Sequence, residues 1–578
     1  MTQPDSIRRE LMEAGPGGLP ARRILAVVTT GGFTHAGRCS LTPILEVCRL
    51  LAARGHTVEF ATLGGQESWA SGCPFLSAVH VFDGRCPTDE QTEAHYRRML
   101  DWDPSQGLGP IMQSKYLWDS FWTAEYAGLK QLVNQSTRPP NLILADFFAE
   151  AAAKDMMVQF GIPVAVMWPQ MPFLMAPVPY IPGQPGFQVD MTLTSEHASV
   201  WSRLRNELVV LKALPAILAW MEWTKRMRRA AGVTWRSPAG PKPGYLILVN
   251  SFFGLEVPKD LPPLIAPVGP ILDDDYPPLS PPFADFLRTH NRTLYVALGT
   301  HILLPTSSLH TILYGLILAL DAGYINGVIW SIGQKLRDAF NRSALLARSG
   351  QYSSKTLCVG DFLDGKHADE FLFPLFAPQR AVLDHPHCRL YLTHGGGSSA
   401  NEALFHGTPV LTLGFFFDQL CNSARLAAAG VGLQLDKANF SSKEICDKVG
   451  RILDDVVDSR SNGPITRNVE RMRRIARVAS RRKYLAVDLI EEVLYDAELR
   501  FDADGHELRP THLQTADARM SVWRAKNWDL WALGLGCTVV LPLGLVFAIG
   551  SVRAKKGDVR SIFTTVLNTA RALLKGSH

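Results

Sequence analysis

The chain has 578 residues, 47% apolar and 20% charged, which allows two to four ordinary globular domains and excludes disorder, collagen-like repeats or a disulfide-stapled miniprotein as readings of the whole. Its net charge of +5 is carried by residues 551–578, so residues 1–550 sum to zero and lack the basic face of a nucleic-acid binder. Nine scattered cysteines without a CxxC pair read as reduced thiols, not a disulfide frame or zinc site.

Residues 1–23 form a polar tail with no apolar run of signal-peptide length. A strand is predicted at ILAVVTT (24–30), then a Gly-rich turn, a helix at ILEVCRLLAARGH stopped by Gly55, and a strand at VEFATL (58–63). The β-α-β rhythm returns at NLILAD (141–146) and IPVAVMW (162–168). Continuous apolar runs of this kind are buried parallel strands covered by helices on both faces. Residues 170–240, dense in Pro, Met and Trp, read as an irregular, partly helical insert, and YLILVNSF (245–252) restores a strand. Nine prolines in 255–282 mark a linker. A second β-α-β series runs through TLYVALGT (293–300), GVIWSIG (327–333), RLYLTHGG (389–396) and PVLTL (409–413). No internal repeat is visible in the sequence.

The predicted organisation is thus an α/β chain. A domain over 24–254 is joined by a linker, 255–290, to a second over 291–480. A helix and juxtamembrane segment follow over 481–529. Residues 530–550 contain no charge and at ~1.5 Å per residue span ~31 Å, the thickness of a bilayer core, so this segment is expected to span or re-enter a membrane. The tail, 551–578, sets Ile562, Phe563, Val566, Leu567, Ala570, Leu573 and Leu574 on one helical face with Arg571 and Lys575 nearby, a pattern suited to anionic lipid.

The stretch that carries chemistry is FAPQRAVLDHPHCRLYLTHGGGSSANEALFHGTPVLTLGFFFDQ, Phe376 to Gln419. A strand feeds His394, Gly395, Gly396 and Gly397, then a helix whose first turn holds Ser398 and Ser399. Glycines admit close backbone approach, and a helix N-terminus offers unpaired N–H groups and positive potential to a diphosphate. Glu402 falls on the same helix face as Ser398 and can accept from sugar hydroxyls. There is no GxGxxG after a strand, no GxxxxGK[ST] and no GxSxG, which disfavours dehydrogenase, P-loop and esterase readings. The three DxD triplets, at 101/103, 273/275 and 502/504, read as solvated acid pairs, and no metal site is expected.

This stretch resembles the 44-residue signature box of UDP-dependent glycosyltransferases, with Ala377-Pro378-Gln379, His394-Gly395-Gly396, Ser399, Glu402, Gly407, Pro409 and Asp418-Gln419 in register. The resemblance extends to ILAVVTTGG…ARGHTVEFAT, to ADFF at a strand end and to LVNSFFGLE; the C-terminal apolar segment is similar to that of the microsomal members. It implies two Rossmann-like domains facing a cleft (GT-B type), with the donor on the second. Phe376 would stack on uracil and Gln379 would lie near the base. Thr300, His394, Gly395, Gly396, Gly397, Ser398 and Ser399 would surround the diphosphate, Glu402 would hold the ribose, and Asp418 and Gln419 the sugar. Phe376 stands where Trp is usual, and Ser398 where Asn is common.

His35, in GGFTHAGR, stands where the family places its catalytic base, with Asp146 as its partner. The 21 residues from His35 to His56 exceed the usual spacing, so residues 38–42 must loop out or His35 is displaced. The implied function is inverting, metal-independent transfer of a hexose, by family habit glucose from UDP-glucose. The donor is a co-substrate, and no cofactor is expected. The acceptor would be a hydrophobic small molecule (sterol, lipid, polyketide or phenolic), facing an aromatic wall that includes Trp118, Phe121, Trp122, Phe147 and Phe148. Membrane lipid is the other expected partner. The body is placed on the cytosolic side of a membrane such as the endoplasmic reticulum. The alternatives are a catalytically silent, membrane-anchored UDP-sugar binder and, with less fit to the apolar segments, a nucleotide-sugar epimerase.

Overall fold

Strands buried on both faces must be covered by helices, and the computed structural model arranges the apolar runs accordingly. It describes residues 19–30, 43–103, 112–172, 198–299, 302–347, 356–457 and 463–554, apart from 239, 241, 367, 368, 503 and 505, together with Thr564 and Asn568. His35, Thr300 and the apolar stripe of the tail lie outside the described residues.

The first half builds a seven-stranded parallel sheet from β1 (Arg23–Val27), β2 (Thr57–Gly64), β3 (Leu76–Arg85), β4 (Leu142–Asp146), β5 (Val164–Trp168), β6 (Leu246–Val249) and β7 (Ile265–Pro267), in the order β3-β2-β1-β4-β5-β6-β7. Its helices are α1 (Pro43–Ala53), α2 (Asp89–Asp101), α3 (Met112–Ser120), α4 (Trp122–Gln135), α5 (Glu150–Phe160) and α6 (Val200–Ala230). The second half contains α7 (Pro281–Thr289), β8 (Thr293–Ala297), α8 (Thr306–Asp321), β9 (Gly327–Ser331), a hairpin of β10 (Leu345–Ala347) and β11 (Thr356–Cys358), and β12 (Phe371–Leu372). It continues with α9 (Gln379–Asp384), β13 (Cys388–Thr393), α10 (Gly397–His406), β14 (Val410–Thr412), α11 (Asp418–Ala428), β15 (Gly432–Gln434), α12 (Ser442–Val457), α13 (Pro464–Ala479) and α14 (Lys483–Leu499). Its main sheet has the order β12-β9-β8-β13-β14-β15.

Both main sheets reverse direction of growth once, between β1 and β4 and between β8 and β13. Ligands of such sheets bind beyond the carboxyl ends of the strands at that reversal. The turns placed there follow Val27, Asp146, Ala297 and Thr393. The two halves therefore share a topology although their sequences show no repeat.

Three stretches differ from the sequence expectation. Residues 200–230 form one helix of 31 residues, α6, that keeps Pro215 in its interior. The Pro-rich stretch contributes β7, a strand at the sheet edge, where a ladder tolerates proline. β3 is a strand the apolar-run criterion passes over, because an edge strand with Val79 and Val81 exposed mixes polar and apolar residues.

Two clusters are among the ties between the halves. Met99 and Trp102, at the end of α2, are buried in the apolar core of the second half. Lys437 Nζ donates to the carbonyls of Leu100 (3.0 Å), Trp102 and Phe415 (2.8 Å). At the other side α14 returns to the first half. Lys483 Nζ donates to Glu46 at 2.7 Å, Arg54 pairs with Asp488 at 2.6 Å and Glu491 at 2.5 Å, and His56 meets Glu491 at 3.0 Å.

Residues 513–578 form a separate unit. Within it a helix runs from Trp528 to Ser551, 24 residues long and unburied, with Leu530, Trp531, Leu541 and Phe547 exposed. Gly536–Val540 is a π-helical turn that ends two residues before Pro542. Proline lacks the N–H that would continue the ladder and its ring crowds the preceding turn, which a π-turn relieves.

Candidate active site

The carboxyl ends of the two sheets open on one cleft of about 1170 Å³ lined by both halves. The glycine-rich turn after β13 is shaped by close packing. Gly395 has φ +79°, and a Cβ there would lie 2.8 Å from Ser423 Oγ. A Cβ on Gly396 would lie 2.5 Å from His394 Nε2, and one on Gly299 2.9 Å from the same atom. Gly395 and Gly299 (φ +83°) also hold backbone conformations that strain any other residue, and the His394 ring sits between the turns that follow β8 and β13. The N-terminus of α10 begins at Gly397, whose N–H donates to Asp418 Oδ2 at 3.1 Å. Asp418 is aimed by Phe417, a non-glycine residue at φ +47°, a conformation that costs of order 1–3 kcal/mol and persists only when its surroundings enforce it. Burial pushes the Asp418 carboxyl up to about 6, against the backbone bonds it accepts.

One turn further along α10, Glu402 is buried and accepts from Gln379 Nε2 at 2.7 Å. Gln379 Oε1 in turn accepts from Tyr391 at 2.8 Å and Tyr295 at 3.4 Å. Burial raises the Glu402 carboxyl, with the Gln379 bond and the nearby Arg380 opposing. Gln379 thus acts on Glu402, a relation the sequence does not show. Gln419 is oriented by the Phe415 N–H, which donates to its Oε1 at 3.2 Å. Phe376 is 47% exposed at the cleft, a free aromatic face.

In the first half Asp146 ends β4 and is fully buried. Its Oδ1 accepts from the N–H groups of Phe148 (2.9 Å) and Ala149 (3.1 Å), whereas Oδ2 has no partner among the described residues. Burial pushes this carboxyl up to about 7, opposed by the two backbone bonds. Such an unpaired buried oxygen demands a reason. Rings form a chain beside it: Trp118–Phe148 centroids are 5.5 Å apart, Phe148–Phe147 4.1 Å and Phe147–Trp168 5.2 Å.

The structure thus brings Phe376, Gln379, His394, Gly396, Gly397, Ser398, Ser399, Glu402, Asp418 and Gln419 to one cleft. Gly395 supports it from behind, packed against Ser423. Asp146 is buried below the cleft surface. Phe121 belongs to the edge of the first core instead of the wall. Tyr96 and Glu125 are among the cleft residues that sequence reasoning missed. Tyr96 comes from α2, and its ring stacks on Phe416 at 5.8 Å. Glu125 comes from α4 and accepts from Thr29 Oγ1 at 2.5 Å. A charge on a helix reads as solvated, so no local signal marks Glu125.

A family model described as UDP-glucoronosyl and UDP-glucosyl transferase matches residues 361–462. The chain is 44% identical over 534 residues to the UDP-glycosyltransferase stmC of Aspergillus ustus, covering 91% of this chain and 96% of that protein. It is 43% identical to a UDP-glycosyltransferase of Talaromyces amestolkiae, covering 91% and 97%. Among solved structures, the glycotransferase of kitacinnamycin superposes with a TM-score of 0.56 at 17% identity, over 82% of this chain and 99% of that one. A UDP-glucosyltransferase from Polygonum tinctorium superposes with a TM-score of 0.51 at 18% identity, over 82% and 99%. These structures share the fold, two facing Rossmann-like domains of the GT-B type.

Proposed function

This chain belongs to the UDP-glycosyltransferase family, and from that premise we propose that it moves glucose from UDP-glucose, with inversion, to a hydroxyl of a hydrophobic small molecule. The donor is a UDP-sugar; its being glucose rests on Gln419 and family habit. Phe376 stacks on the uracil, Glu402 accepts from the ribose, and Asp418 with Gln419 accepts from and donates to the sugar. His394, Thr300, the glycine turn, Ser398, Ser399 and the N-terminus of α10 receive the diphosphate, and their donors stabilise the charge that grows on departing UDP. The acceptor lies against the ring chain from Trp118 to Trp168.

His35 takes the proton of the acceptor hydroxyl as its oxygen bonds to the anomeric carbon and the bond to UDP breaks. Asp146 orients His35 and stabilises the imidazolium. The observation that carries this reading is Asp146 itself: a buried carboxyl at the β1/β4 reversal, with one oxygen fixed by backbone and the other without a partner among the described residues. A silent, donor-binding role is not favoured, because the sequence joins a candidate base, His35 with Asp146, to the donor box.

The body is placed on the cytosolic face of the endoplasmic reticulum, held by the helix Trp528–Ser551, which has the length and apolarity to cross a bilayer. Donor and acceptor panels read by mass spectrometry, with the anomeric configuration of product set by NMR, test the reading. Turnover with retention, or UDP-sugar binding without transfer to any alcohol or phenol, overturns it.

A further inference from the structure

We infer that Asn401 and Arg425 are positioning residues, which hold the donor turn at a fixed distance from the acceptor wall so that the reacting atoms meet. The inference rests on the proposed function, which places donor and acceptor on the two sides of the cleft, and adds what sets their separation.

The segment after β5 and the start of α10 meet in the cleft. Trp168, Pro169 and Gln170 line it from the first half, and Gly397, Asp418 and Gln419 from the second. A Cβ added to Gly397 would lie 3.7 Å from the Pro169 carbonyl oxygen, an ordinary van der Waals distance, so the two sides touch here. The LVNSFFGLE stretch, which takes no part in the proposed reaction, supplies two braces behind this contact through Asn250 and Glu256.

The first brace runs through Asn250, just past β6. Its N–H donates to the Trp168 carbonyl at 2.7 Å, and its own carbonyl accepts from Asn401 Nδ2, on α10, at 2.9 Å. The second runs through Glu256. Its Oε1 accepts from the Met171 N–H at 3.1 Å, and its Oε2 pairs with Arg425, on α11, at 3.1 Å. Arg425 also donates to Asn422 Oδ1 at 3.4 Å, and Asn422 Nδ2 donates to the Gly395 carbonyl at 3.0 Å. Carbonyls only accept, and backbone N–H and guanidinium groups only donate, so chemistry fixes the direction of each bond.

Asn250, Glu256, Asn401, Asn422 and Arg425 are all buried. A buried polar group cannot exchange its partner for water without a large cost, which makes both braces stiff. None of these residues is among those that line the cleft, so they act on the reaction through the segments they hold. Attack tolerates little error in geometry: a displacement of ~1 Å caused far from the chemistry can cost ~10²-fold in rate. Lys259, buried and close enough to Glu256 to feel its charge, remains as a cation there when Arg425 is replaced.

The test uses the full-length protein in detergent, with the UDP-sugar and acceptor that the wild type turns over fastest. Asn401→Leu cuts the first brace at nearly constant volume, and Arg425→Met cuts the second. Calorimetry with UDP counts the intact sites, and kcat is expressed per site. Asn401→Leu should lose about tenfold in kcat per site and the double variant about a hundredfold, with UDP affinity and both KM values near wild type. Arg425→Lys, which keeps a cation on Glu256, should recover most of what Arg425→Met loses.

A double variant with wild-type kcat per site overturns the inference, because the residues then only stabilise the fold. So does a loss of UDP affinity in Asn401→Leu, because that residue then serves the donor alone. Should the double variant not fold, Asn401→Leu decides by the same readings. Absence of transfer by the wild type from any UDP-sugar to any acceptor strikes instead the function on which the inference rests.

Discussion

Gln379 donates its amide N–H to Glu402 at 2.7 Å, and two tyrosine hydroxyls, from Tyr391 and Tyr295, fix which way that amide points. The carboxylate proposed to hold the ribose is thus set by α9, not by its own helix alone. Glu402→Ala should weaken UDP-sugar binding by about 1.5–3 kcal/mol, the range for a charge-assisted hydrogen bond. Gln379→Leu should lose a smaller amount, because Glu402 remains but is no longer held. Calorimetry with UDP on both variants measures this, and unchanged affinity in folded Glu402→Ala protein removes the ribose assignment.

For the proposed catalytic pair, His35→Ala should lose about 10²–10⁴-fold in turnover, the usual yield of general-base catalysis, at unchanged UDP affinity. Asp146→Asn should lose less. Near wild-type turnover in His35→Ala would exclude the dyad.

Asp146 also ties stability to pH. Its carboxyl is pushed up to about 7 in the fold, so the folded state holds the proton more tightly than the unfolded chain. Stability is therefore lost as pH rises from the ordinary carboxylate range through about 7. Asp146→Asn, neutral throughout, should melt above wild type at pH 8, with the gap closing toward pH 5. Scanning calorimetry across that range reads it, and a variant that melts below wild type at pH 8 contradicts the assignment.

Lys437 serves three carbonyls, of Leu100, Trp102 and Phe415, and so ties the end of α2 to the loop before Asp418. Its ammonium is lowered by burial, against the pull of Asp103, Asp101 and Asp436. Lys437→Met should cost about 1.5–3 kcal/mol, the scale of hydrogen bonds to a charged group. It should also raise KM for the UDP-sugar more than for the acceptor. Chemical denaturation with steady-state kinetics separates the two effects, and an equal rise in both KM values argues against a link to the donor loop.

Removal of residues 513–578 should release the protein from membranes without loss of UDP binding. Asn134, Asn291, Asn341 and Asn439 each begin an Asn-x-Ser/Thr sequon, and all four are exposed. With a cytosolic body the membrane-bound protein should show the unmodified mass. A glycan on any of the four places the body in the lumen.

The sequence by itself determined the two β-α-β halves, because strands buried on both faces need unbroken apolar runs such as LILAD and TLYVA. It also marked the proposed donor residues from Phe376 to Gln419, since a helix N-terminus that receives a diphosphate needs its glycines and hydroxyls within a few consecutive positions. Only the tertiary structure decided what lies between segments far apart in the chain. Lys437 meets the end of α2, α14 returns from the second half to Arg54 and His56, and Glu125 on α4 accepts from Thr29 past β1. None of these has a local signature. A buried carboxyl and a solvated one are the same letter in a helical pattern, and what separates them is the desolvation and the partner that packing supplies.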